Sequence, residues 1–255
     1  KTHITTQIFA QFNRSAQFMP GGTQLNKLPR DSAGSIRFDK ISDWNKGLEV
    51  TEMGAIRQAD ENGKFINSET SGISVLSAID SESRLGLRTI MTRNINKQTN
   101  FSGSINLEAY RGNHFGTVQN LLGADGYTSF SDVNRAEGFP VENLFLSKFL
   151  TKYNSSDKSG YFYQSEIQTG GLSMRVNHET NRFYWYLAGS ASMQNIRRND
   201  YFNYLATDPE KKTEFTLLPG GHVQTGINYK LRKYHSIHLK TSYGSYQPLF
   251  TTLFP

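Results

Sequence analysis

The chain has 255 residues, a net charge of +6, 36% hydrophobic and 13% aromatic residues, and no cysteine. The lack of cysteine excludes disulfides and thiolate metal sites. A mean hydropathy of −0.56, without an apolar run of about 18–20 residues, excludes a helical membrane protein.

Alternation of apolar and polar side chains with a period of two predicts seven β-strands. The fifth strand is the clearest, because Trp185, Leu187 and Met193 share one face whereas Tyr186 and Gln194 share the other. The predicted strands, in chain order, span residues 2–12, 83–95, 99–110, 160–178, 183–197, 220–230 and 235–247.

Long stretches without alternation separate these strands at 13–80, 111–159 and 198–218. Short helices are predicted within them at 35–45 and 116–122, and the shifted phase before Gly170 and Gly171 predicts a β-bulge. The remaining connections are short turns. Strict alternation of long and short connections is typical of antiparallel strands that cross a membrane, since one side carries binding loops and the other tight turns.

These patterns predict an all-β chain: an antiparallel transmembrane β-barrel segment with long extracellular loops and short periplasmic turns, in the bacterial outer membrane. Seven is an odd number, whereas single-chain bacterial barrels have even strand numbers. An unpaired first strand would also expose its edge in lipid. We therefore expect residues 1–255 to form one domain, a partial barrel that is an internal segment of a larger one.

The sequence contains none of the common nucleotide-binding, metalloprotease or serine-hydrolase motifs. His235 and His238 are three apart on a predicted strand, so they face opposite sides and cannot share a metal. The basic residues form no large cluster, so nucleic acid is not an expected partner. We expect no enzymatic activity, no catalytic or metal-binding residues and no cofactor.

Candidate functional residues fall into two sets. Polar-face positions of the strands would face a lumen: Arg88, Glu108, Arg175, Tyr186, Gln194, Gln224 and Lys240. Residues of the second long stretch and its border would contact a ligand as loop residues: Tyr110, Arg111, His114, Phe115, Tyr127 and Phe130. For any single polar-face residue, solvation or packing against a plug is favoured over a functional role. For the loop residues, packing of the loops onto themselves is an equally open interpretation.

Several short motifs resemble Bacteroidetes-type TonB-dependent outer-membrane transporters. They are SIRFDKI at 35–41, NLEAYRGN at 106–113, LLGADGY at 121–127, DYFNY at 200–204, DPEKKTE at 208–214 and SYGSYQPLF at 242–250. The resemblance implies a barrel of 22 strands with a plug in its lumen. It also implies import of a nutrient, such as a glycan, peptide or metal chelate. The implied partners are outer-membrane lipid, the rest of the barrel and plug, the TonB complex acting through that plug, and a surface lipoprotein.

Two alternatives remain open from the residues alone. The first is a complete small outer-membrane barrel or adhesin without energy coupling, which requires an eighth strand inside 13–80 or 111–159. The second is a soluble β-sandwich that binds carbohydrate through loop aromatics. The sandwich predicts that Trp185, Leu187 and Met193 are buried by protein.

Overall fold

The alternating segments form long strands in the computed structural model, which describes residues 1–141, 154–232, 234–248 and 250–254. In chain order the strands are β1 (Thr2–Gly22), β2 (Ile66–Asn67), β3 (Ile73–Asn94), β4 (Thr99–Asn120), β5 (Gly126–Ser129), β6 (Phe139–Pro140), β7 (Ser159–Glu179), β8 (Phe183–Asp200), β9 (Thr216–Arg232) and β10 (His235–Ser245). The helices are α1 (Phe38–Asn45) and α2 (Phe250–Leu253). The chain is therefore all-β and mostly antiparallel, as predicted.

Seven of the strands form one open sheet in the order β1-β3-β4-β7-β8-β9-β10, and each neighbouring pair is antiparallel. The connections at one end are short: 95–98, 180–182, and the step from Arg232 to His235. The connections at the other end are long: 23–72, the stretch between Asn120 and Ser159, and 201–215. The alternation of long and short connections is thus a property of the fold.

The two faces of this sheet differ sharply in polarity. Residues paired across neighbouring strands lie on the same face. Ile8, Leu107, Leu172, Leu187 and Leu239 belong to one face, where they are 47–74% exposed. We call this the apolar face. The opposite side, rich in hydroxyl, amide and charged groups, is the polar face.

The long connections pack together at one end of the sheet as a cap, formed by 23–72, 121–141, 154–158 and 201–215. In the first connection, Trp44 and Met53 pack against Ile73, where β3 begins. The short strands β2, β5 and β6 form a second sheet that joins the first connection to the second. Asn134 joins the second to the third, because its Oδ1 accepts a hydrogen bond from Ala206 N at 2.7 Å.

Several predicted boundaries were wrong. Strands β1, β3 and β4 extend well into the predicted loops 13–80 and 111–159, because each continues from the sheet into the cap. Residues 116–122 are not helical: they finish β4 and turn, whereas the helix predicted at 35–45 is α1. Gly170 and Gly171 pair regularly with Met193 and Ser192, so the predicted bulge is absent. Residues 142–153 of the predicted loop lie outside the described residues.

No helix in the described part of the chain is long and apolar enough to cross a membrane.

Candidate ligand-binding cleft

The seven residues predicted to face a lumen all lie on the polar face. Pairing places Glu108 opposite Thr169, and Thr169 opposite Gln194. The register assigns the whole set to this face: Arg88, Glu108, Arg175, Tyr186, Gln194, Gln224 and Lys240. The period-two pattern and the strand register therefore assign these side chains to the same face, and they are spread along the length of the sheet.

A cleft of about 460 Å³ opens on the polar face next to the cap. Its lining combines residues from both predicted sets with residues from neighbouring strands: Arg84, Glu108, Tyr110, His114, Tyr163, Ser165 and Gln194. Tyr110 and His114 were predicted as loop residues, but both belong to β4. Because β4 continues beyond Tyr110 into the cap, these two side chains are held by a strand rather than by a loop.

His114 is fixed by contacts on both edges and on one face of its ring. Its Nδ1 lies 2.6 Å from Asp80 Oδ1, and its Nε2 lies 2.9 Å from Ser165 Oγ. Because a carboxylate accepts hydrogen bonds, the Nδ1–H group donates to Asp80, and Nε2 forms a hydrogen bond with the Ser165 hydroxyl. The ring also stacks on Tyr163, with centroids 4.7 Å apart. Three strands, β3, β4 and β7, thus hold one imidazole in place.

The order Asp80, His114, Ser165 has the hydrogen-bond distances of a serine-hydrolase relay. Exposure argues against that chemistry. Ser165 is only 2% exposed, whereas the side chain of Asp80 is 48% exposed. A nucleophile must reach its substrate, and the acidic member normally lies behind the histidine, away from solvent. Here the serine is buried and the acidic residue is exposed, which is the reverse of a hydrolase site. We therefore interpret the arrangement as a hydrogen-bond network that orients the rings of the cleft.

One wall of the cleft, formed by Arg84, Glu108 and Tyr110, carries charged groups next to an aromatic ring. The Arg84 guanidinium lies 5.1 Å from the Tyr110 ring centroid, a cation–π distance. The Tyr110 hydroxyl donates to Glu82 Oε1 at 3.2 Å, and Arg84 Nη1 lies 3.9 Å from Glu108 Oε1. Such a wall offers flat ring surface together with hydrogen-bond donors and acceptors. These are the features that bind a polar organic solute through stacking and hydrogen bonds.

Glycine makes room for rings elsewhere on the polar face. A Cβ placed on Gly226 would lie 2.4 Å from the Tyr186 ring, so only glycine lets that ring lie across β9. Tyr186 also accepts a hydrogen bond from Gln224 through its hydroxyl. The two predicted residues Tyr186 and Gln224 are therefore brought into direct contact, on the part of the polar face distant from the cap.

The other predicted loop residues do not join the cleft. Arg111 lies on the opposite face of the sheet, where it donates to Gln164 Oε1 at 2.9 Å. Phe115 is 3% exposed and Tyr127 is 2% exposed, so both are packing residues. Phe130 is 55% exposed on the cap. Only Tyr110 and His114 of the six therefore line the cleft.

Sequence reasoning missed most residues of the cleft and its hydrogen-bond network. The missed residues are Asp80, Glu82, Arg84, Tyr163, Ser165, Ile167, Thr169, Ile196, Gln247, Pro248 and Phe250. Asp80 fell inside the predicted loop 13–80. Tyr163 and Ser165 lay inside the predicted fourth strand, where their same-face spacing of two residues was the available signal. Among the described residues, no three His, Asp or Glu side chains lie close enough to hold a metal ion.

No protein-family model, curated protein or solved structure matches this chain. The resemblance to TonB-dependent transporters therefore rests on the short sequence motifs alone.

Proposed function

We propose that this chain forms part of the wall of an outer-membrane β-barrel transporter, with its apolar face toward lipid and its polar face toward the lumen. The observation that carries the proposal is the exposed apolar face of the seven-stranded sheet. Leu187 and Met193 are each 52% exposed, and Leu239 is 66% exposed. An exposed apolar surface of this extent on one side of a sheet requires an apolar partner. Bilayer hydrocarbon is such a partner, and a sheet with one apolar and one polar face is typical of the wall of an outer-membrane barrel.

The height of the apolar band agrees with a bilayer. On β8 the apolar positions run from Phe183 to Met193. At about 3.3 Å per residue this stretch measures about 33 Å along the strand. A strand tilted by about 45° would therefore cover about 23 Å, close to the ~25 Å apolar band of outer-membrane barrels.

The band also crosses the strands obliquely. Pairing through β3, β4 and β7 brings Phe12 of β1 level with Arg197 of β8. Phe12 still belongs to the apolar set of β1, whereas the apolar set of β8 ends four residues before Arg197, at Met193. A band that lies flat in a membrane must shift in this way when the strands are tilted relative to the membrane normal.

The edges of the sheet support a larger barrel. Strands β1 and β10 each pair on one side only within the described residues. Unpaired backbone N–H and C=O groups cost several kcal/mol each in hydrocarbon. We therefore propose that further strands continue the wall on both sides. By the resemblance, the complete barrel would import a nutrient such as a glycan, peptide or metal chelate, with energy from TonB acting through a plug.

The cap and the cleft give this wall a place to bind solute. The cap lies at the end of the sheet that carries the long connections, and the cleft opens beside it on the polar face. A solute entering from the cap side would meet the rings of Tyr110 and Tyr163 and the amide of Gln194. The role proposed for these residues is non-covalent recognition.

The alternatives fit the sheet less well. A β-sandwich requires a second layer over Leu187 and Met193, yet both are about half exposed, and the second sheet has only strands of two to four residues. A complete small barrel requires a closed sheet, whereas the described strands form an open one.

The two tryptophans allow a direct test in vesicles whose phosphatidylcholine carries brominated acyl chains, which quench tryptophan emission on contact. Trp185 belongs to the apolar face, whereas Trp44 is 3% exposed in the cap and donates from Nε1 to Ala55 O at 3.0 Å. We expect strong quenching in the W44F variant, which retains Trp185, and little in W185F. The proposal would be overturned if Trp185 of the folded protein were not quenched, or if it were quenched no more than Trp44.

A further inference from the structure

We propose that a second pocket on the polar face, distant from the cap, binds a tetrahedral oxyanion such as a phosphate or sulfate group. The pocket has a volume of about 380 Å³. The polar groups in its lining are Arg88, Arg175, His222 and four serine hydroxyls, those of Ser102, Ser104, Ser173 and Ser190. These side chains are donors or can act as donors, and no carboxylate is among the lining residues.

Arg88 supplies a positive charge that no carboxylate among the described residues neutralises. Its guanidinium has no hydrogen bond and no ion pair in the described part of the chain. Glu108, which follows on the polar face of β4, is directed toward Arg84, with Arg84 Nη1 3.9 Å from Glu108 Oε1. The five N–H donors of Arg88 are therefore available to a ligand.

Arg175 faces the same pocket from β7 and is held in position by neutral groups. Its Nε donates to Asn177 Oδ1 at 2.6 Å, and its Nη2 donates to Tyr184 OH at 2.9 Å. Its guanidinium lies 4.4 Å from the Tyr186 ring centroid. These contacts orient the side chain but leave its charge uncompensated, so a second positive group borders the pocket.

The serine hydroxyls determine the class of anion. Ser104 and Ser173 pair with each other, and their Oγ atoms are 2.8 Å apart. The strand register places this pair one polar-face position from Arg88 along the sheet and one from Arg175 in the opposite direction. A carboxylate has two oxygens, and one guanidinium group can bind both of them as a bidentate pair. A phosphate or sulfate group has three or four oxygens pointing in different directions, so it can accept from two guanidinium groups and from hydroxyls at once.

The proposed anion site is formed by side chains of the polar face of the sheet, so it does not depend on the proposed role in membrane transport. The test is isothermal titration calorimetry of the full chain, folded in a zwitterionic detergent, with inorganic pyrophosphate as the probe and acetate as the comparator. We expect pyrophosphate to bind, acetate to bind at least tenfold more weakly, and added salt to weaken both. Binding in detergent together with failed lipid quenching would overturn the membrane proposal alone.

Variants locate the site. R88Q and R175Q should each weaken pyrophosphate binding by about tenfold or more, the effect of losing a hydrogen bond from a charged donor. The matched control is R93Q, on the same strand as Arg88 but on the apolar face, which should leave binding unchanged. Thermal unfolding of each variant confirms that it is folded. Absence of binding, equal binding of acetate, or equal effects of R93Q and R88Q would overturn the proposal.

Discussion

The side-chain amide of Asn45 in α1 pairs with the backbone of Ile73, the residue at which β3 begins. Its Nδ2 donates to Ile73 O at 2.7 Å, and its Oδ1 accepts from Ile73 N at 3.1 Å. The amide thus acts as the partner that a neighbouring strand would otherwise provide. Both residues are completely buried, so the cap is joined to the sheet at a site that water does not reach.

This relationship predicts that Asn45→Ala destabilises the cap by about 2–4 kcal/mol, because it leaves buried backbone groups without partners. Asn45 Nδ2 also donates to Leu122 O at 2.9 Å, so the second connection loses a contact as well. Denaturant unfolding followed by the fluorescence of Trp44 measures the loss. The exposed neighbour Asp43, changed to Ala, is the control. An N45A variant as stable as D43A would contradict this account.

The two faces of β8 predict losses of stability of different size from the same substitution at two adjacent small residues. Ala191 lies on the apolar face and Ser190 on the polar face, and both are exposed. Ala191→Arg should reduce the stability of the vesicle-inserted protein by about 2–4 kcal/mol, the cost of a charge on a lipid-facing position. Ser190→Arg should cost much less. Urea unfolding from vesicles measures both, and equal losses would show that the apolar face does not contact lipid.

Tyr127 in the cap predicts a loss of stability at alkaline pH. Burial, with the Glu69 carboxylate nearby, raises the pKa of Tyr127 from 10.0 to about 12. The folded cap therefore holds the phenol proton more tightly than the unfolded chain does. This contribution is complete below pH 10, is lost as the pH rises toward 12, and amounts to about 3 kcal/mol.

Unfolding of wild type and Tyr127→Phe at about pH 9 and about pH 11 isolates this effect, because other tyrosines contribute equally to both proteins. Phenylalanine keeps the ring but has no proton to lose. We expect the wild type to lose more stability than Y127F between the two pH values. The same loss in both proteins would place the alkaline sensitivity elsewhere.

Burial of Ser165 predicts that it does not react with serine-directed reagents. Its hydroxyl lies 2.9 Å from His114 Nε2, as in a hydrolase, but the residue is 2% exposed. We expect a fluorophosphonate probe to leave the folded protein unmodified, as judged by intact mass. Labelling that Ser165→Ala abolishes would show that the serine is reachable, and would reopen hydrolysis as a function of this site.

The cleft shows how far sequence reasoning could go. The period of two assigned Glu108 and Gln194 to the polar face without reference to any neighbour, because each strand carries its own alternation. It could not bring Tyr163 next to His114, since that contact depends on the register between β4 and β7. Nor could it place Asp80 beside His114, because Asp80 lies in the part of β3 where apolar and polar side chains do not alternate clearly.

Alternation is lost where strands enter the cap. Four consecutive residues of β4, from Phe115 to Val118, are buried, so both sides of the strand contact protein there. A strand buried on both faces has no reason to alternate in polarity. The sequence pattern of this stretch was therefore compatible with a short helix, and only pairing with β3 and β7 made it a strand.

The sequence by itself determined the seven strands, their two faces and the alternation of long and short connections. These features depend on local periodicity and turn chemistry, which each segment carries alone. Only the tertiary structure decided the lengths of the strands, the joining of three connections into a cap, and the meeting of Asp80, His114 and Ser165. Those features depend on register and on buried contacts between residues far apart in the chain, which no local pattern encodes.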